Sequence, residues 1–210
     1  VALAFFISPV FSQEVKTEMD SIILCSVKGR REIVTAKLLS TGITSAIIAA
    51  VYLIGYFIGT WITVGNLSGF DAPIRSLNAF GLCILNVTAG EMAIISALWL
   101  ILVAAAFGLT LALISALVKN QSTAFGLGIA VLLAGALSNF LGNMPQFLHP
   151  LIYFNFSTLS MFTTVFGGNR IFNLFGTPVP YGMMAFIVCV IIGAVACLLN
   201  YLAQRKRSVV

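Results

Sequence analysis

The sequence predicts an all-α integral membrane protein. It reads as a polytopic helical bundle with five spans in view, the first of them partial, and re-entrant or lateral external helices before the last span. Three observations predict this. Of the 210 residues, 60% are hydrophobic and 8% charged, against about 25% charged in soluble domains. The mean hydropathy is +1.08, so too little polar surface exists to cover a water-soluble fold. The charges are also segregated: nine of the seventeen Lys, Arg, Asp and Glu residues lie between Ser12 and Lys37. Two charge-free runs of 27 residues, Leu38–Val64 and Met92–Val118, exceed the roughly 20 residues a helix needs to cross a bilayer core.

Taken in order, residues 1–11 are expected to be the end of a span, the partial first of the five in view. Residues 12–37 form a charged segment. Within it Val15, Met19, Ile22 and Ile23 recur at helical spacing, so an amphipathic helix is expected to run out of the first span. Gly29 is expected to break it, and Arg30–Lys37 to lead into the span at 38–64. Residues 65–90, with Asp71, Pro73 and Arg75, read as a loop. A span at 92–118 follows, then a tight polar turn at Lys119–Thr123 and a shorter, Gly- and Ala-rich span at 124–141. Residues 142–180 are broken by four glycines and four prolines and are expected to form external pieces that dip into or lie on the membrane. A last span covers 181–203, closed by Arg205, Lys206 and Arg207.

Alternating the spans orients the chain. With the segment 12–37 inside, nine basic residues fall on the inner side and only Arg75 and Arg170 outside, the bias of the positive-inside rule. If residues 147–166 crossed the membrane, Arg205–Arg207 would land outside, so they are read as not crossing. The four cysteines make no framework. Cys189 and Cys197 are about 12 Å apart on one helix by the rise per residue, too far to bridge, and free thiols are expected. A stripe of small residues, Ser122, Gly126, Ala130, Ala134 and Ser138, is expected to pack against another helix, within the chain or in a second subunit.

The segment 12–37 carries the chemistry. As a solvated loop it would only fix topology; as an amphipathic helix it can be laid in a partner's groove. The run Phe11-Ser-Gln-Glu14, Ser21-Ile-Ile-Leu24 and Gly29-Arg30-x-x-Ile33-x-x-Ala36-Lys37 resembles permeases of ABC exporters of the ABC-2 type. Glu14, Gly29, Arg30 and Lys37 match that family's pattern, and Thr17 stands where its threonine is common, without the preceding glycine. The resemblance covers residues 11–37 by motif and the remainder by order of spans.

The resemblance implies a transport subunit that is not itself an enzyme. Its ATPase-coupling residues would be Glu14, Thr17, Glu18, Gly29, Arg30, Arg31 and Lys37. No Gly-x-x-x-x-Gly-Lys-Ser/Thr phosphate loop occurs in the sequence, so the chain carries no cofactor, and ATP and Mg would sit on a separate cytoplasmic ABC ATPase. The other partners implied are a second permease chain, identical or paralogous, and membrane lipid; no nucleic-acid partner is expected. The location implied is the bacterial inner membrane, with the coupling loop and C-terminus cytoplasmic. The apolar spans suit an amphipathic or hydrophobic cargo.

Other readings rest on less. Glu91 opens a span after Gly90, where a helix dipole favours an acid; it is a helix-start residue or a cargo or gating group. His149 has no ligand-type neighbours. Asn66, Asn86 and Asn155 head glycosylation-type triplets. No intramembrane protease or esterase motif is present. The alternatives to an exporter are an ATP-independent transporter or channel, which needs polar coupling groups at mid-membrane, and a membrane scaffold or immunity subunit.

Overall fold

The computed structural model describes residues 2–10, 12, 29–65, 69–118, 120–140, 152–174 and 176–206. It is mainly helical: α1 (Ala2–Ile7), α2 (Gly29–Val64), α3 (Ala89–Leu117), α4 (Gln121–Phe140), α5 (Phe156–Ser160), α6 (Phe162–Phe166) and α7 (Tyr181–Lys206), with strands β1 (Ile171–Leu174) and β2 (Thr177–Pro180) before α7. Three stretches are long and apolar enough to cross a membrane: Glu32–Thr63, Ala89–Leu117 and Tyr181–Ala203. Among the described residues α4 holds a shorter apolar stretch, Gln121–Leu137, with polar Gln121, Ser122 and Thr123 in its first turn.

Gly29 is the first residue of α2, which runs for 36 residues without interruption; the amphipathic helix expected before it lies outside the described residues. Glycine is costly inside a helix but not at its end, and Arg30, Glu32, Ala36 and Lys37 are good helix formers. Gly65, at φ +69°, closes the helix in the left-handed conformation that glycine adopts without a steric penalty. Its amide donates to the Trp61 carbonyl at 2.9 Å.

The chain divides into two compact units. The first comprises Val1–Ala46, Ala104–Ala134 and Val190–Val210. Its core holds Ile7, Leu111, Ala112 and Ala116 and a set of buried hydroxyls. The Ser12 amide donates to Ser115 Oγ at 3.1 Å, and Ser115 Oγ and Ser12 Oγ both donate to the Ser8 carbonyl, at 2.6 and 2.7 Å. Ser45 Oγ donates to Thr41 O at 2.7 Å. A side chain at Gly108 would collide with Ser45, and one at Gly128 with Leu111. Small residues thus set the helix spacing, as expected where lipid removes the hydrophobic drive between helices. Asn200, fully buried, donates to Ala196 O at 2.9 Å and Leu109 O at 3.4 Å, while its Oδ1 has no partner.

The second unit comprises Ile47–Val103 and Gly135–Cys189. Residues 69–90 form a strap at the start of α3: Ile74 N bonds Val87 O, Ala89 N bonds Ala72 O and Gly90 N bonds Phe70 O, each near 3 Å. Two 3₁₀ turns, Ile74–Ser76 and Asn78–Phe80, bury Ile74 and Cys83 against Met92, with Phe162 and Phe166 alongside. The expected loop at 65–90 is therefore a packed element. Residues 156–166 are helical, as expected of the external pieces, but 171–180 form an antiparallel hairpin, Ile171 opposite Pro180 and Leu174 opposite Thr177. Its prolines were read as breakers; in a two-stranded ribbon a proline can sit where no ladder N–H is needed.

Contacts within each unit show that α3 and α7 run in the same direction. In the second unit Cys189 Sγ lies 4.0 Å from Leu102 O. In the first, Gly193 faces Ala106 and Leu109, and Asn200 reaches Leu109. Sequence position rises together along both helices, so they begin at the same end. Cys83, Cys189 and Cys197 are free thiols.

Candidate functional site

Of the coupling residues read from the sequence, Glu14, Thr17 and Glu18 lie outside the described residues. Gly29, Arg30 and Arg31 have their backbone in the first turn of α2. Lys37 stands two turns on, half-buried, its carbonyl accepting from Ser40 Oγ and Thr41 Oγ1 at 2.9 and 2.7 Å. At 1.5 Å per residue α2 is about 54 Å long, well beyond the ~30 Å of a bilayer core. Its charged start and its apolar remainder belong to one unbroken helix.

Glu91 forms a capping box with Thr88. The Thr88 amide donates to Glu91 Oε2 at 2.9 Å, and the Glu91 amide donates to Thr88 Oγ1 at 3.3 Å. The pair satisfies backbone donors that the start of α3 would otherwise leave open, and the exposed carboxylate serves the helix terminus. Asn155 also serves as a cap: its Oδ1 accepts from Thr158 N at 2.8 Å and its Nδ2 donates to Ile152 O at 2.6 Å. It is half-buried against the backbone of Gly135, a poor position for a glycan. His149 lies outside the described residues.

The small-residue stripe is in a different register from the one expected. Gly126, Ala130 and Ala134 are exposed, and nothing lies within 4 Å of a side chain placed at Gly126. The buried small residues of α4 are Ala124, Gly128 and Gly135. Packing within the chain uses that face, and the expected stripe faces outward among the described residues.

Sequence reasoning missed an apolar cavity in the second unit of about 650 Å³. Leu98, Trp99 and Leu102 of α3, Met183 and Phe186 of α7, and Phe166 of α6 line it. It sits at the N-terminal ends of α3 and α7. Gly182 permits the close approach of Phe166, which a side chain there would strike. Trp99 is held by its Nε1 donating to Leu159 O at 2.8 Å. Tyr181 is held by its hydroxyl donating to Tyr153 O at 2.6 Å, within an aromatic cluster with Phe154 and Phe172 at 5.6–6.0 Å between centroids. A smaller cavity of about 510 Å³ lies in the same unit, among Leu53, Phe57, Trp61, Phe70 and Ala97.

Two arginines stand beside the larger cavity. Arg75 Nε donates to Cys83 O at 3.1 Å and its Nη2 to Ile84 O at 3.3 Å, and Ile84 is part of the lining. The Arg170 carbonyl accepts from the amide of Tyr181, also part of the lining, at 2.9 Å, and the Arg170 guanidinium lies 4.8 Å from the centre of the Tyr153 ring. The sequence held one clue to both: they are the only basic residues assigned to the outer side. The cavity itself was hidden because its walls come from segments some 80 residues apart. Comparison of the chain with protein-family models, curated proteins and solved structures returns no match.

Proposed function

We propose that this chain is the membrane-spanning permease subunit of an ATP-driven exporter, coupled to a separate cytoplasmic ATPase through residues 12–37. The observation that carries the reading is α2. One unbroken helix joins the charged turn at Arg30–Lys37 to an apolar span, so a push on the charged end is transmitted along the span without a hinge. Two such chains around a common path, closed and opened by paired ATPases, would alternate access by tilting these rods.

The proposed topology places residues 12–37 and the C-terminus in the cytoplasm and residues 69–90 and 152–180 outside. The shared direction of α3 and α7 supports it, because an even number of crossings between them would make them antiparallel, and the proposed topology has one, α4. So does the grouping of residues 152–166 with the N-terminal ends of both helices, through Trp99 and Tyr181. The inner bacterial membrane remains the location proposed, from the family resemblance.

An ATP-independent transporter finds less support. Among the described residues the buried polar groups are Ser8, Ser12, Thr41, Ser45, Ser115, Thr158 and Asn200. None is ionisable in the way a proton- or ion-coupled mechanism uses, and the hydroxyls bond mostly to nearby carbonyls. The test is co-purification. Expressed with the products of neighbouring genes and extracted in detergent, the protein is expected to carry a stoichiometric ATPase; a stable protein that carries none contradicts the proposal.

A further inference from the structure

The cavity of the second unit is apolar at its walls and cationic at its rim. Its two polar wall groups are spent elsewhere, Trp99 Nε1 on Leu159 O and the Tyr181 hydroxyl on Tyr153 O. A polar molecule inside it would forgo the hydrogen bonds it makes in water and gain none in return. At about 650 Å³ it falls within the ~300–1,000 Å³ of small-ligand sites. The rim is the opposite. Arg75 and Arg170 are exposed. Arg75 donates to the carbonyls of Cys83 and Ile84, and the Arg170 carbonyl accepts from the amide of the lining residue Tyr181 at 2.9 Å. Among the described residues neither is ion-paired: Arg75 spends two donors on carbonyls and Arg170 stacks on Tyr153.

We propose that this cavity is a binding site for an anionic single-chain amphiphile, its alkyl chain against Leu98, Trp99, Phe166 and Met183 and its headgroup at Arg75 and Arg170. The division of labour follows from the medium. Inside a membrane an alkyl chain gains little by leaving lipid for an apolar cavity, since both are hydrocarbon-like. The walls therefore admit the chain, and the arginines select the head. A guanidinium offers paired donors that match a carboxylate or phosphate, and beside a low-dielectric wall that attraction is less screened than in bulk water. A single chain is proposed because the space lined by these walls is one continuous cavity of about 650 Å³. The site does not rest on the exporter reading, since binding is read directly.

The experiment uses the purified protein in nanodiscs of neutral lipid, with a long-chain fatty acid carrying a photoreactive diazirine in its chain. Label is expected on peptides containing Ile95–Leu102 and Tyr181–Phe186, and unlabelled fatty acid should compete it away. Filling the cavity by Leu98→Trp or, separately, Met183→Trp should remove it. Arg75→Gln combined with Arg170→Gln leaves the walls intact, so it remains informative if the tryptophan variants do not fold; it should weaken labelling about tenfold, the loss of a charged contact. A neutral alcohol of the same chain length should compete about tenfold less well for the same reason. Label spread along the exposed face of α2 at Leu39–Ile62, or label indifferent to both the tryptophan and the arginine variants, would overturn the site. Equal competition by the alcohol would overturn the anionic head, and equal competition by a two-chain anionic phospholipid the single chain.

Discussion

Thr88 and Glu91 show how a side chain that looks functional in a sequence can be explained by the backbone beside it. The first turn of α3 leaves amides unpaired, and each member of the pair satisfies one through its partner's side chain. Thr88→Ala should cost about 1 kcal/mol, as N-cap losses do, and lower the melting midpoint by about 2–4 °C for a chain of this size, read by tryptophan fluorescence. Glu91→Gln keeps the box, since glutamine serves equally there, so its melting should match wild type. If Glu91→Gln melts normally yet abolishes transport, the carboxylate has a second task in cargo handling or gating. The residue type and the Thr-x-x-Glu spacing were legible in the sequence; the choice between cap and gate was not, because both place an acid at a helix start. Asn200, the only amide within the last span, was equally visible, but its burial beside Leu109 depends on a helix 90 residues away.

At the level of elements, long charge-free runs made the spans at 38–64, 92–118 and 181–203 readable, because nothing but a helix satisfies its own backbone in hydrocarbon. The hairpin at 171–180 was unreadable because two four-residue strands carrying Pro178 and Pro180 give no alternation to detect. The face of α4 that packs within the chain was unreadable for a different reason. Small residues occupy both faces of that helix, and composition cannot choose between Gly126, Ala130, Ala134 and Ala124, Gly128, Gly135. Gly108 gives the clearest test of how helices pack here. A methyl group at that position would overlap Ser45, whose short side chain cannot swing clear without leaving its bond to Thr41. Gly108→Ala should destabilise by about 1–3 kcal/mol, the usual cost of overpacking. Ser45→Gly in the same chain should restore most of it. An additive pair, measured by thermal melting of the two single variants and the double, would mean that the two positions do not meet.

For the whole molecule, charge and helix direction both support the proposed topology. That topology puts nine basic residues on the inner side and two on the outer, and α3 and α7 start together and therefore end together. With the native thiols replaced, Lys119→Cys and Arg205→Cys should both react with an impermeant maleimide only from the cytoplasmic side, and Arg170→Cys only from the other. Opposite labelling of Lys119→Cys and Arg205→Cys would require one more crossing between residues 120 and 181. The proposed coupling to ATP rests, in the sequence, on a charged segment between two expected spans. Glu14, Thr17 and Glu18 lie outside the described residues, and Arg30 and Lys37 are seen as the start of a rod. The most direct measurement is therefore charge reversal in the co-purified complex: Glu14→Lys and Arg30→Glu, with thermal melting as the control for folding. The account predicts a stoichiometric ATPase with the wild-type chain, lost from a normally folded double variant. A wild-type chain that brings down no ATPase, or a variant that retains it undiminished, would contradict the claim that residues 12–37 are where an ATPase grips this protein.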